Sequence, residues 1–113
     1  MTKIVIRKAE GTWTVRAGGA VLGESREALE LTEGDHPAVI YFPRSDIAMA
    51  FLDRTDHSTT CPHKGAANYY SIVTKSQTIE NAAWTYETPK EDVARIKDHL
   101  AFYATDLVTV ERV

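Results

Sequence analysis

Apolar and polar residues alternate along much of this chain, with the period of two that is typical of half-buried β-strands. β-Branched and aromatic residues, which favour strands, are concentrated in the same stretches. Glycine, proline, asparagine and aspartate, which favour turns, separate these stretches. The pattern predicts seven or eight strands, which include segments 3–8, 12–17 and its hairpin partner, 28–31, 38–42, 68–74, 79–87 and 107–113.

The strongest local signal is a Gly-Gly pair at positions 18 and 19. Two glycines between alternating segments are typical of a two-residue hairpin turn. Counting outward from the turn pairs Ala17 with Ala20 and Val15 with Leu22. Both pairs are apolar, so this register directs one face of the hairpin toward the core.

Two helices are predicted among the strands. The first lies near 45–52, where Ser45 can cap a short helix. The second lies near 89–102, where Thr88 and Glu91 match a capping box with proline between them, followed by apolar residues at helical spacing. Because the helices do not alternate regularly with strands, the sequence predicts a mainly-β (α+β) fold of antiparallel sheets, as one domain over residues 1–113.

The composition is that of an ordinary globular chain, with 113 residues, 43% of them hydrophobic, and a formal net charge of −3. Cys61 is the single cysteine, so no internal disulfide can form, which fits a reducing, cytoplasmic location. Basic residues are dispersed, which argues against nucleic-acid binding. No apolar run approaches the roughly 20 residues that cross a bilayer, and the N-terminus has no apolar signal segment.

Several motifs, taken in order, resemble the domain-of-unknown-function family 427. They are Tyr41-Phe-Pro-Arg-Ser-Asp46, Asp56-His57, Cys61-Pro-His-Lys-Gly65, Tyr69-Tyr70, Glu80-Asn-Ala-Ala-Trp84-Thr-Tyr86 and Phe102-Tyr103. The resemblance implies a β-tent-like fold, in which two antiparallel sheets splay apart over a cleft. It implies no established activity, although the family also carries a nucleotidyltransferase-like label. The chain has neither an Asp-x-Asp pair nor a Gly-rich phosphate loop to support that label.

The densest group of reactive side chains lies in the centre of the chain. Cys61 is a candidate nucleophile, because a nearby cation such as Lys64 lowers the pKa of a thiol, although free cysteines are also often simply buried. His57 and Glu80 are a candidate acid–base pair. On an extended strand, His57, Cys61 and His63 would point to the same side. Imidazole and thiolate groups are ligands that suit zinc. The proline at position 62 interrupts such a strand, so we assign no metal and no cofactor.

A second group of residues suits ligand binding. Lys64 beside Gly65 can bring a positive charge and a bare backbone N–H toward an anion, although a solvated lysine next to a turn glycine explains the same pair. Tyr41 precedes a predicted helix start, where N–H groups attract anions. Tyr69 lies on the predicted strand that follows the Lys64 loop. We therefore count Lys64, Gly65, Tyr41 and Tyr69 as candidate ligand-binding residues.

Trp84 and Tyr86 complete this group. Strict alternation puts Glu80, Trp84 and Tyr86 on one face of their strand. A carboxylate beside two aromatic rings with polar atoms is typical of a small-molecule pocket. The same aromatic residues can also be ordinary core residues, so both interpretations stay open.

These features lead to three interpretations of function. The first is a cleft that binds a small molecule, which is anionic in the version that uses Lys64. The alternative is an enzyme that uses Cys61 or the His57–Glu80 pair. The second alternative is an interaction module that forms a homodimer. Nucleic acids and membranes are not among the expected partners.

Overall fold

The computed structural model describes residues 3–113, which form ten β-strands and three short 3-10 segments. The strands are β1 (Ile4–Lys8), β2 (Trp13–Ala17), β3 (Ala20–Ser25), β4 (Leu29–Glu33), β5 (Val39–Pro43), β6 (Leu52–Cys61), β7 (Gly65–Val73), β8 (Thr78–Thr85), β9 (His99–Phe102) and β10 (Val108–Arg112). The 3-10 segments are Arg44–Asp46, Met49–Phe51 and Glu91–Ile96. All pairs of strands within the sheets are antiparallel. The predicted mainly-β class is confirmed.

The strands form two sheets of unequal size. The large sheet has seven strands in the order β1-β4-β5-β9-β8-β7-β6, and the small sheet has three in the order β10-β2-β3. The small sheet packs on one face of the large sheet through a core in which Val15 and Leu22 meet Phe42, Ile72 and Leu100. These five side chains are fully buried, so this contact supplies much of the hydrophobic stabilisation.

The opposite face of the large sheet carries a second core. Because side chains alternate across a strand, Phe42 faces the small sheet while its neighbour Tyr41 faces this second core. The 3-10 segment Glu91–Ile96 covers part of this face and buries Val93 and Ile96 against it. The second face is therefore shielded by a short segment rather than by another sheet.

The junction between β5 and β9 divides the large sheet into two halves. Only two residue pairs join these strands, Phe42 with Leu100 and Pro43 with His99. The earlier part of β5 pairs only with β4, from Val39 to Tyr41. The β1-β4-β5 half therefore separates from the β9-β8-β7-β6 half beyond this junction, which leaves an opening within the large sheet.

The predicted helices exist only as 3-10 turns. Near 45–52 the chain makes two separate turns, and Ser45 caps neither of them. Near 89–102 the segment begins after Lys90, has no side-chain cap, and ends at Ile96. The predicted α-helix to position 102 is wrong, because residues 99–102 pair with β5 and β8 as strand β9. Backbone pairing in the sheet overrides the local helical spacing.

The predicted hairpin is present, with one correction to its register. Ala17 pairs with Ala20, as predicted, but Val15 pairs with Gly23 rather than with Leu22. A bulge between Val15 and Arg16 shifts the register by one residue. Val15 and Leu22 are both still fully buried, so the apolar face was predicted correctly.

We expect Gly23→Ala to destabilise the protein by about 1–3 kcal/mol through overpacking. A Cβ atom at position 23 would lie 2.7 Å from the backbone oxygen of Asp46, which cannot move as a side chain can. Gly19→Ala is the matched control, because a Cβ atom there would meet nothing within 4 Å. Urea unfolding of both variants tests this, and equal stabilities would contradict it.

Candidate functional site

A cavity of about 210 Å³ opens on the second face of the large sheet. One ordered water needs roughly 10–15 Å³ of such space, so this cavity can hold a small molecule. We call it the aromatic cavity, and it is lined by Leu31, Glu33, His36, Pro37, Val39, Tyr41, Lys64, Tyr69, Trp84, Tyr86 and Tyr103. Strands β4 and β5 contribute one wall, and β7 and β8 contribute the other.

Five aromatic side chains give the cavity its shape. Tyr41 is 1% exposed, and its hydroxyl accepts a hydrogen bond of 3.4 Å from Nε1 of Trp84. The Trp84 ring also packs against Tyr103, with ring centroids 4.4 Å apart. Tyr69 and Tyr86 are buried beside them. The walls are therefore flat ring surfaces that carry a few polar atoms.

Tyr41, Tyr86 and Tyr103 keep neutral phenol groups near pH 7. Burial raises the pKa of Tyr41 and that of Tyr86 above the ordinary value of 10.0. Burial, together with the nearby hydroxyl of Tyr69, raises the pKa of Tyr103 to about 12. The Tyr86 hydroxyl belongs to a side chain that is 5% exposed and lines the cavity. It is thus a neutral donor available to a bound molecule.

Lys64 and Glu33 form an ion pair at the polar side of the cavity. Nζ of Lys64 donates a 3.0 Å hydrogen bond to Glu33, and the two side chains are only 13% and 19% exposed. Burial lowers the pKa of Lys64, but Glu33, with Cys61 and Tyr41 nearby, outweighs burial and leaves it raised. The hydrogen bond from Lys64 holds the pKa of Glu33 below its usual value. Both groups are therefore charged at neutral pH.

The hairpin between β6 and β7 holds Lys64 in place. Gly65 adopts a positive φ of +109°, which disfavours any side chain, and a Cβ atom there would lie 3.4 Å from the backbone oxygen of Thr88. The backbone oxygen of Lys64 accepts a 3.0 Å hydrogen bond from the backbone N–H of Lys90. Gly65 does not line the cavity. It lets the hairpin pack closely against the segment after β8, which fixes the position of Lys64.

The three candidate catalytic residues do not line the cavity. Cys61 is partly buried at the end of β6, close enough to raise the pKa of Tyr86. His57 is exposed, and its ring lies on that of Tyr69 with centroids 4.5 Å apart. Glu80 is exposed on β8, and no hydrogen bond joins it to His57 in the described part of the chain. The geometry does not assemble these residues into a catalytic group.

A bulge in β8 breaks the alternation on which the prediction for Glu80 relied. Asn81 has a positive φ of 50°, and Ala82 and Ala83 both face the core between the sheets. Trp84 lines the cavity beyond this bulge, as does Tyr86, which follows the end of the strand. The helix start expected after Tyr41 is a 3-10 turn, and Tyr41 is instead part of the cavity wall.

In residues 3–113, no group of three or more His, Cys, Asp or Glu side chains is placed to hold an ion. None of the helical segments in the same range is long and apolar enough to cross a bilayer.

The sequence did not reveal several residues of the cavity. The contact of Glu33 with Lys64 spans 31 positions, so no local pattern could predict it. Tyr103 belonged to a motif of the family resemblance, but that motif gave it no role. His36 lies on the cavity rim and is exposed.

Comparison with known families agrees with the resemblance inferred from the motifs. The model of a domain of unknown function, DUF427, matches residues 5–113. The match covers nearly the whole chain, so the protein belongs to this family. No curated protein matches the chain.

We expect Glu33→Gln to lower the stability at neutral pH by about 1 kcal/mol, through loss of a charged hydrogen bond. The folded state lowers the pKa of Glu33, so its contribution is present above the ordinary value of 4.5 and is lost as the pH falls through the lowered pKa. The stabilities of wild type and variant should therefore converge in acid.

Urea unfolding from neutral to acidic pH measures this convergence. Glu24→Gln is the control, because Glu24 is exposed on β3. A stability difference between wild type and Glu33→Gln that stays constant with pH would contradict the expected role of the carboxylate.

Proposed function

We propose that the protein binds a small planar molecule in the aromatic cavity, with an anionic group of the molecule held by Lys64. The observation that carries this proposal is the position of Lys64. Its charged side chain is only 13% exposed, yet it lines a cavity whose other walls are mainly aromatic. Removing a charge from water is costly unless it has partners. Glu33 supplies one partner, and an anionic group of a ligand would supply another.

The hydrogen-bonding capacity of the site supports an anionic ligand. An ammonium group has three N–H donors, and one of those of Lys64 goes to Glu33. Lys64 and Tyr86 both line the cavity, so the remaining donors of Lys64 and the Tyr86 hydroxyl are the donors that we expect to hold the anionic group. Hydrogen bonds to a carboxylate from such donors are stronger than neutral ones. Glu33 limits the anion to one that fits beside the existing pair without displacing it.

The walls and the size of the cavity support a planar ligand. Trp84 and the tyrosines offer ring faces and edges, and aromatic pairs in stacked or edge-on geometry are worth about 0.5–1.5 kcal/mol beyond burial. A volume of about 210 Å³ suits one ring with a polar substituent. An aromatic carboxylate is therefore the simplest probe. Catalysis by Cys61, or by the pair His57 and Glu80, is not part of the proposal, because none of them lines the cavity.

The proposal also includes a cytoplasmic location. Cys61 is a free, partly buried thiol, and free thiols persist in reducing compartments. Anionic metabolites with planar rings would be the natural candidates for the ligand there.

Calorimetric titration with three matched probes tests the proposal. Benzoate has both the ring and the charge, benzamide has the ring alone, and cyclohexanecarboxylate has the charge alone. We expect benzoate to bind most tightly. The double variant Glu33→Gln/Lys64→Met, which leaves no carboxylate unpaired, should weaken benzoate binding at least tenfold, or about 1.4 kcal/mol.

Lys75→Met is the control for this titration, since Lys75 is exposed and lies outside the cavity. It should bind benzoate as the wild type does. Equal affinity of the wild type and the double variant for benzoate, or no binding of any of the three probes to the wild type, would refute the proposal.

A further inference from the structure

A second and larger cavity lies beside the aromatic cavity. Its volume is about 660 Å³, and we call it the outer cavity. It is lined by Trp13, Glu30, His36, Pro37, Ala38, Val39, Ile40, Trp84, Phe102, Tyr103, Ala104 and Val110. Apolar side chains predominate, and its one acidic residue, Glu30, faces Arg7 at 3.7 Å in an ion pair. The outer cavity is therefore suited to a hydrocarbon group rather than to a second charged group.

The two cavities share part of their lining. His36, Pro37, Val39, Trp84 and Tyr103 border both. Trp84 and Tyr103, whose rings contact each other, border both spaces. Tyr103 is 46% exposed, so its ring can turn aside without disturbing a core. Its backbone stays fixed, because its N–H donates a 2.9 Å hydrogen bond to the oxygen of Ala82.

The shared lining follows from the division of the large sheet. Where β5 leaves β9, Val39 and Ile40 border the opening on one side and Phe102 borders it on the other. The small sheet closes the far side of the opening with Trp13 and Val110. The opening thus leads from the second face of the large sheet to the space beside the small sheet, and a molecule in one cavity can extend into the other.

We propose that the two cavities form one site for an amphipathic carboxylate, with the head in the aromatic cavity and a hydrocarbon tail in the outer cavity. This inference rests on the proposed function, since the head is the anionic ring described above. In this proposal, the hydrocarbon tail lies over the Trp84 ring, and the side chain of Tyr103 rotates away to make room for it. The ligand class is then an aromatic acid with an alkyl or aryl extension opposite its carboxylate.

Comparing benzoate with 4-butylbenzoate tests the inference by calorimetry. Each methylene that is fully buried tightens binding about fourfold. We expect 4-butylbenzoate to bind wild type at least tenfold more tightly than benzoate does, because the chain is partly buried in the outer cavity.

Two variants locate the tail. Ala38→Trp and Ala104→Trp each place a large ring in the outer cavity at exposed positions that do not line the aromatic cavity. Both should abolish the gain from the butyl chain and leave benzoate affinity within about twofold of wild type. Ala50→Trp, at an exposed position that lines neither cavity, should keep the gain.

The outcomes separate this inference from the proposed function. Benzoate binding without any gain from the butyl chain would overturn the shared site and leave the proposed function intact. A gain that survives both Ala38→Trp and Ala104→Trp would place the tail elsewhere and would also overturn it. Failure of benzoate and 4-butylbenzoate to bind the wild type would overturn both ideas together.

Discussion

The structure depends on the way strand β9 joins the two halves of the large sheet. Its four residues fill the gap between β5 and β8, and its side chains supply both cores. Leu100 and Phe102 face the small sheet, while Ala101 faces the second core. Because only two pairs connect β9 to β5, the sheet is continuous at one end and open at the other. Both cavities lie along this opening.

Local sequence patterns predicted the parts of the fold that depend on neighbouring residues. The Gly-Gly turn and the alternating strands could be predicted, because turn geometry and side-chain period act over a few positions. The segment from 89 to 102, which was predicted as a helix, could not. Val93, Ile96 and Leu100 have helical spacing, but Leu100 belongs to a strand that pairs with Phe42, 58 positions earlier. Such a pairing has no signature in the residues near Leu100, and it outweighs a weak local preference.

The candidate site shows the same limit. Lys64, Tyr69 and Tyr86 could be selected from the sequence, because a cation beside a glycine and aromatic residues on strands are local features, and all three line the cavity. Glu33 could not be selected, because its importance comes only from meeting Lys64 in space. Glu80 was selected for its alternation with Trp84 and does not line the cavity, because a bulge at a residue with positive φ cannot be read from a regular pattern.

The shifted pKa values of the cavity residues determine which of them change protonation near neutral pH. Lys64 keeps its proton and the phenols keep theirs well above neutrality, while Glu33 has lost its own well below it. These protein groups therefore present one fixed set of donors and charges throughout the physiological range. Lys64, Glu33, Tyr41 and Tyr86 would therefore distinguish an acid from its conjugate base without themselves changing protonation in that range.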